Sequence, residues 1–102
     1  MEHRQAAASL AALAHPLRLE LYRALVASGD SGLTPGVMRD ALQLPSATLS
    51  FHLKRLIAAG LATQSRNGRH LVHRAAPDRV DALIGYLSDH CRRASAPAAT
   101  TA

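Results

Sequence analysis

The chain has 102 residues, of which 48% are apolar, so it can form one domain with a small hydrophobic core. Its single cysteine excludes an intrachain disulfide, and no apolar run reaches the roughly 18 residues that span a membrane. The formal net charge of +5 favours an anionic partner, with nucleic acid first and a membrane surface second. Since the N-terminal stretch also lacks the apolar core of a signal peptide, we expect a cytoplasmic protein.

The first part of the chain predicts three helices. The first covers residues 5–14 and ends before Pro16, because the residue preceding a proline is pushed out of the helical region. Pro16 fits the first turn of a second helix that runs to about Ser28. After a glycine-containing loop at 29–32, a third helix spans about residues 34–42, with Thr34 as its cap.

Residues 44–59 contain a fourth helix, and the tight connection Gln43-Leu44-Pro45 leads into it from the third. Two helices separated by about three residues form a helix-turn-helix. Ser46 stands at an N-cap position, and Gly60 follows the last turn. Apolar residues recur at helical spacing on one face, namely Leu49, Leu53, Leu56 and Ile57. The opposite face carries Ser46, Thr48, Ser50, Phe51, Lys54 and Arg55. Hydroxyls and cations placed this way suit a helix in a DNA major groove, although an ordinary amphipathic surface helix would show the same two faces.

The last third of the chain predicts a β-hairpin and a fifth helix. Residues 61–66 and 69–75 are expected to be strands around Asn67-Gly68, a dipeptide typical of a type I′ turn. A helix follows over residues 77–93, and residues 94–102 form a tail of Ala, Pro, Ser and Thr that we expect to be disordered. The predicted fold is therefore mainly α with a small β-hairpin. It is a winged helix-turn-helix domain over residues 1–93, in the order α-α-α-α-β-β-α.

The positive charge is concentrated in the middle of the chain. Residues 39–74 contain six Lys and Arg residues and one acidic residue, which accounts for the whole net charge of +5 when His is neutral. A basic middle between neutral ends indicates a nucleic-acid footprint. Arg66 and Arg69 flank the predicted hairpin turn and, with His70, are expected to contact DNA phosphates. His73 lies three residues beyond His70 on a strand, so it is expected on the opposite face.

Three stretches together resemble the ArsR/SmtB family of winged-helix repressors. Leu13–Leu25 is similar to the family's opening, with its alanine-x-proline-x-arginine core. Leu44–Leu61 is similar to the family's recognition helix, of the form serine-x-x-threonine-valine-serine-x-histidine-leucine. The Arg66–Arg69 wing is the third stretch, and the likeness extends over residues 10–93. It implies a homodimer that binds double-stranded DNA at an operator palindrome and leaves it when an inducer binds.

Two positions depart from the family pattern. Pro45 stands where a serine is usual, and Phe51 stands where a polar side chain or a histidine is frequent. Phe51 could contact a thymine methyl group, or it could pack against its neighbours.

The terminal helices are expected to form the dimer interface, because the fifth helix has a long apolar stripe for so small a core. That stripe consists of Val80, Leu83, Ile84, Leu87 and Cys91. The alanine-rich first helix has a similar apolar excess. We therefore expect the two helices to meet their symmetry mates at a two-fold axis.

The resemblance also allows the family's metal-sensing sites to be tested against this sequence. The thiolate site of the third helix and the zinc site of the fifth helix need ligands where this chain has other residues. Those positions are Thr34, Gly36, Pro77, Arg79 and Arg93, although His90 fits the later histidine of the zinc site. His90 and Cys91 could still form a zinc site across the dimer axis, or Cys91 could only pack while His90 lies at the surface. Oxidation of Cys91 is a further way to release DNA, since the arginines that follow it favour the thiolate.

No enzymatic activity and no cofactor are expected. The chain has no nucleophile with a base at motif spacing and no paired carboxylates beyond Asp78 and Asp81 on a helix. His15 and His52 are expected to be structural. The competing hypothesis is a basic dimeric protein-interaction module without operator specificity, whose partner would be a protein.

Overall fold

The computed structural model describes the backbone of residues 1–98 and the side chains of residues 1–89. This part of the chain folds into five α-helices and one antiparallel sheet of two strands. The helices are α1 (His3–Leu13), α2 (Pro16–Ser28), α3 (Pro35–Leu42), α4 (Ser46–Ala58) and α5 (Pro77–Ala98), and the strands are β1 (Ala62–Asn67) and β2 (His70–Ala75). The predicted winged helix-turn-helix order is confirmed.

The core lies between α2, α3 and α4 and extends to the start of the hairpin. Leu21 and Leu25 of α2 and Leu56 of α4 are fully buried, and Leu61 closes the core beside them. The four-residue spacing within α2 places Leu21 and Leu25 on one face. Burial of each such side chain contributes about 1.5–3 kcal/mol, which makes this face the main attachment of the helix-turn-helix.

Helix α1 begins at His3, two residues earlier than predicted, because its N-terminus is capped. The backbone N–H of Glu2 donates to Oε1 of Gln5 at 3.1 Å, which satisfies an amide that the helix itself leaves unpaired. His3 and Arg4, which the prediction left outside the helix, are helical for this reason. Helix α2 begins at Pro16 as predicted, and Nδ1 of His15 caps it by accepting from the N–H of Leu17 at 3.1 Å.

The turn between α3 and α4 differs from the prediction at one position. Pro45 is the N-cap of α4, since its carbonyl accepts the first helical bond from Leu49 N–H at 3.0 Å. Ser46 is the first helical residue, so the prediction of Ser46 as the N-cap was wrong. Pro45 favours this arrangement because its ring fixes φ, here −63°, and its ψ of 150° is extended, as an N-cap requires. Gly60 ends the helix at φ 78°, as expected.

The hairpin turn is one residue later than predicted. Asn67 pairs with His70, so Gly68 and Arg69 form the two-residue loop. Among these residues only Gly68 has a positive φ, which matches a type II′ turn with glycine at its first central position. The type I′ turn centred on Asn67-Gly68 was therefore wrong. As a consequence Arg69 lies in the loop itself and Arg66 lies within β1.

The second edge of β2 is held by the loop that precedes α3. Leu33 and His73 exchange two backbone hydrogen bonds of 2.8 Å, so the hairpin is tied to the helical core. Gly32 makes this approach possible. Its φ is +68°, and a Cβ there would lie 2.6 Å from the carbonyl oxygen of His73.

Helix α5 packs part of its predicted interface stripe inside its own protomer. Leu83 is buried and Val80 packs against the core, whereas Ile84 and Leu87 are exposed. The helix continues to Ala98 instead of ending near Arg93, and residues 99–102 lie outside the described part. In the described chain no helix has the length and hydropathy needed to cross a membrane.

The close approach at Gly32 predicts a site-specific loss of stability. Gly32→Ala should lower the free energy of unfolding by about 1–3 kcal/mol, because alanine is strained at positive φ and its Cβ meets backbone. Gly85→Ala is the matched control, since Gly85 lies in α5 and a Cβ added there would meet no neighbouring atom within 4 Å. It should leave stability unchanged or raise it. Urea unfolding of both variants decides the point, and equal stability of the two would contradict it.

Candidate nucleic-acid interface

Helix α4 has the two faces that the sequence predicts. Leu49, His52, Leu53 and Leu56 are buried against the core. The candidate DNA contacts Ser46, Ser50, Phe51, Lys54 and Arg55 are exposed. Thr48 is half-buried at the margin of the exposed face, so it is the least accessible of the predicted contacts.

One side of the exposed face of α4 lies beside the hairpin. Ser46, Ser50 and Lys54 line a cleft whose other wall includes Gln64 of β1 and Leu71 of β2. We call this the helix–hairpin cleft. Hydroxyls and a cation of the predicted recognition helix are therefore adjacent to the predicted wing. A single duplex could contact both elements from this side.

Arg39 belongs to the same surface, although the sequence did not assign it a role. Its guanidinium donates to the hydroxyl of Ser46 at 3.2 Å, and it also lines the helix–hairpin cleft. Arg39 is one of the basic residues in the middle of the chain, but its position in the sequence does not indicate that it lies next to α4. Only the packing of the last turn of α3 against the start of α4 places it beside Ser46.

The other side of the exposed face carries Phe51 and Arg55. The guanidinium carbon of Arg55 lies 5.0 Å from the centroid of the Phe51 ring, within the range of a cation–π contact. The Phe51 ring also meets His52 edge-on at 5.2 Å, yet half of Phe51 (50%) remains exposed. Phe51 thus packs against its neighbours and still presents an apolar surface that a thymine methyl group could contact.

A polar cluster holds the buried face of α4 against α2. The Nε–H of Arg18 donates to the carbonyl of Ala12 at 2.7 Å, and a terminal guanidinium nitrogen lies 3.2 Å from Nδ1 of His52. Because a guanidinium can only donate, His52 must accept, which requires an unprotonated Nδ1. Burial, and then the nearby His15 and Arg18, lower the pKa of His52. These contacts agree with the structural role predicted for His15 and His52.

The hairpin tip presents three of the predicted phosphate contacts. Arg66, Arg69 and His70 are all exposed. Arg74 differs from them, because its guanidinium donates to the carbonyl of Asp30 and to the hydroxyl of Ser65, both at 2.7 Å. Arg74 therefore fastens the hairpin to the loop before α3. The basic residues in the middle of the chain therefore include exposed candidates for phosphate contact and an arginine with a structural role.

His73 lies on the opposite side of the hairpin from His70, as predicted. It is 2% exposed, and its Nε2 is 3.2 Å from Oε1 of Gln64. Burial lowers the pKa of His73. The two histidines do not converge on one site.

Among the described residues no group of three or more His, Cys, Asp or Glu side chains converges as metal ligands would. The candidate ligands His90 and Cys91 lie outside the residues whose side chains the structure describes. That hypothesis, and the role of Cys91 in the interface, therefore stay predictions.

An exposed apolar surface lies on α5 and α1. Ile84 is 55% exposed and Leu87 47%, and Leu10 of α1 is 44% exposed. Tyr86 joins the two helices, since its hydroxyl is 3.2 Å from Nδ1 of His3. Of the predicted interface stripe, Ile84 and Leu87 are the described residues that present apolar surface to a partner.

Comparison with known proteins gives a consistent result. Residues 13–65 match the family model described as a helix-turn-helix domain. An ArsR-like transcriptional regulator from Rhodococcus sp. RHA1 superimposes with a TM-score of 0.83 at 21% identity, covering 96% of this chain and 90% of that one. A predicted DNA-binding transcriptional regulator from E. coli is 31% identical with a TM-score of 0.65, covering 84% and 88% of the two chains. HlyU from Vibrio cholerae is 27% identical with a TM-score of 0.69, covering 87% and 96%. No curated protein sequence matches significantly.

The two buried histidines predict that acid destabilises the fold. Because the pKa of His52 and of His73 is lowered on folding, the unfolded chain binds more protons below the ordinary histidine pKa of about 6.5. Above about pH 6.5 the two neutral histidines make their full contribution to stability. This contribution decreases as the pH falls from about 6.5 through the lowered pKa values of the folded chain. The free energy of unfolding should therefore be lower at about pH 5 than at about pH 7. His52→Gln and His73→Gln should each reduce the difference, whereas a pH dependence unchanged in both variants would contradict this assignment.

Proposed function

Because the chain belongs to the ArsR family of winged helix-turn-helix DNA-binding transcriptional regulators, we propose that it acts as a repressor that binds a palindromic operator as a homodimer. The family consists of transcriptional regulators, and the proposed activity is binding without catalysis. A protein that binds genomic DNA acts where that DNA is, which supports the predicted cytoplasmic location. The observation that carries the proposal is the adjacency of the polar side of α4 to the hairpin across one cleft.

In the proposed complex, α4 reads base edges and the hairpin tip contacts the backbone. Ser50 and Lys54 are exposed on α4, where a major groove of about 12 Å can admit the helix. Arg66 and Arg69 extend from the hairpin to phosphates that flank the groove or to the minor groove. The first set is expected to carry sequence specificity and the second to carry affinity.

The proposed dimer uses the exposed apolar surface of α1 and α5. Ile84 and Leu87 would be covered by the same surface of a second copy, since a two-fold interface joins identical patches. Two recognition helices held at a fixed distance then read two half-sites together, which makes the operator palindromic. The predicted contribution of Val80 and Leu83 is smaller, since Leu83 is already buried within the protomer.

Two elements of the proposal concern release from DNA. An inducer of unidentified chemistry, or oxidation of Cys91, would alter the interface that sets the spacing of the two recognition helices. His90 fits one histidine of the family's zinc site, but its partner positions hold Pro77, Arg79 and Arg93, and the positions of the thiolate site carry no cysteine. We therefore expect metal ions to leave DNA binding unchanged. The variant Cys91→Ser should fold and bind DNA as the wild-type chain does.

The division between reading and clamping predicts two classes of mutant. Ser50→Ala should weaken binding to a selected operator more than binding to random DNA, by about 1 kcal/mol or more, because a base contact is lost. Arg69→Ala should weaken both equally and lower the salt slope by about one, as loss of a phosphate contact does. Fluorescence anisotropy over a range of salt concentrations measures both effects.

The matched control for the charge change is Arg23→Ala, since Arg23 is exposed on α2 and lies outside the proposed surface. It should alter neither the affinity nor the salt slope. If Ser50→Ala and Arg69→Ala gave the same pattern on both kinds of DNA, the assignment of reader and clamp would be wrong.

The dimer surface predicts that a charge at Leu87 separates the protomers. Leu87→Asp should give a monomer in sedimentation and lose operator binding, because half-sites are then read singly. Val26→Asp is the control, since Val26 is an exposed apolar residue of α2 (48%) outside the proposed interface. A wild-type chain that sediments as a monomer at micromolar concentration would contradict the dimer.

The alternative function is a basic protein-interaction module. The helix-turn-helix match and the polar composition of the exposed face of α4 favour DNA instead. The salt dependence of binding distinguishes the two functions. A protein that neutralises DNA phosphates releases their counterions, so its affinity for DNA falls steeply as the salt concentration rises. The affinity for a protein bound through apolar helices would change little with the salt concentration.

A further inference from the structure

The helix–hairpin cleft has an apolar wall that DNA binding does not require. Leu53 and Ile57 of α4 and Leu71 of β2 line it, and Ile57 and Leu71 are half-exposed. A DNA phosphate gains little from such a wall, because phosphates are held by positive charge and hydrogen bonds. Apolar walls with a few convergent polar groups are instead typical of sites for small molecules.

The polar side of the same cleft is positively charged. Arg39 and Lys54 line it, and none of the described residues that line the cleft is an aspartate or a glutamate. The hydroxyls of Ser46 and Ser50 are on this side as well. A guanidinium and an ammonium beside two hydroxyls can hold a carboxylate through charge-assisted hydrogen bonds. The charge therefore selects an anion.

His73 adds a buried polar group to the cleft. It is among the lining residues, and its Nδ1 is buried without a hydrogen-bond partner in the described structure, while its Nε2 faces Gln64. Buried polar atoms are nearly always paired, and an unpaired one is destabilising. Since this nitrogen is shielded from solvent, it is not part of the surface that a ligand in the cleft would contact, and Arg39 and Lys54 remain the charged groups of the cleft.

We propose that the helix–hairpin cleft binds a small carboxylic acid with an apolar body. The carboxylate lies against Arg39 and Lys54, and the apolar body lies along Leu53, Ile57 and Leu71. Lys54 also belongs to the surface assigned to DNA, so an occupied cleft and bound DNA exclude each other. This exclusion rests on the proposed function, whereas the binding of the acid does not. The cleft is thereby an effector site separate from the dimer interface.

The direct test measures binding of a probe acid in the absence of DNA. The probe is 4-phenylbutyrate, and the control is its neutral amide, which keeps the apolar body. In ¹⁵N NMR titrations the acid should shift amides around residues 46–57, 64 and 71–73, and it should bind about tenfold more tightly than the amide. Equal affinity of the two compounds, shifts confined to other parts of the chain, or no shift at millimolar concentration would overturn the proposal.

Variants identify the anion-binding groups. Arg39→Gln and Lys54→Gln should each weaken binding of the acid by about tenfold and leave binding of the amide unchanged. Arg23→Gln removes an exposed cation of α2 outside the cleft and should alter neither. Thermal unfolding of each variant verifies its fold. If all three substitutions had the same effect on the acid, its recognition would be non-specific and the site would be wrong.

A competition experiment tests the link to DNA. Titration of 4-phenylbutyrate into the complex of wild-type chain and operator should release the DNA over the range in which the acid fills the cleft, and the amide should not. An intact complex with a filled cleft would overturn the mutual exclusion while leaving the acid site established. Failure of the chain to bind any duplex would overturn the proposed function, and the NMR titration would still decide the cleft.

Discussion

The attachment of α4 to the core is the constraint on which the rest of the structure depends. Leu49, Leu53 and Leu56 bury one face of the helix, and the bond between Arg18 and His52 fixes it against α2. A helix held on one side by apolar packing and a directional polar contact cannot rotate without exposing leucines or leaving a buried imidazole unpaired. The outward face is therefore determined by what the inward face must bury, and that face carries the residues assigned to DNA.

The hairpin depends on the same core through a different set of contacts. The paired backbone of Leu33 and His73, the close approach at Gly32 and the bonds of Arg74 to Asp30 and Ser65 tie its base to the loop before α3. Its tip extends beyond these contacts, with Arg69 in the loop. The base of the hairpin is therefore fixed next to α4, and its basic tip is exposed.

Much of this arrangement could be predicted from the sequence, because its signals are local. The spacing of leucines in α4, proline at the start of α2 and glycine after α4 each act within one or two turns. The N-cap of α4 was assigned to Ser46 because a hydroxyl side chain is favoured there, whereas Pro45 occupies the position through its backbone alone. The hairpin turn lies one residue later than predicted because Asn-Gly fits two turn types. The role of Arg39 and the orphaned nitrogen of His73 could not be predicted, since both arise where elements distant in the chain meet.

The measurement that tests the central claim most directly is a residue-by-residue map of duplex DNA on the wild-type chain, by amide chemical shifts in NMR. We predict that a selected operator perturbs residues 46–55 of α4 and residues 66–70 of the hairpin, with α2 unchanged on its exposed side. Perturbations centred on the exposed residues of α2, such as Leu19 and Val26, with α4 unaffected, would contradict this prediction.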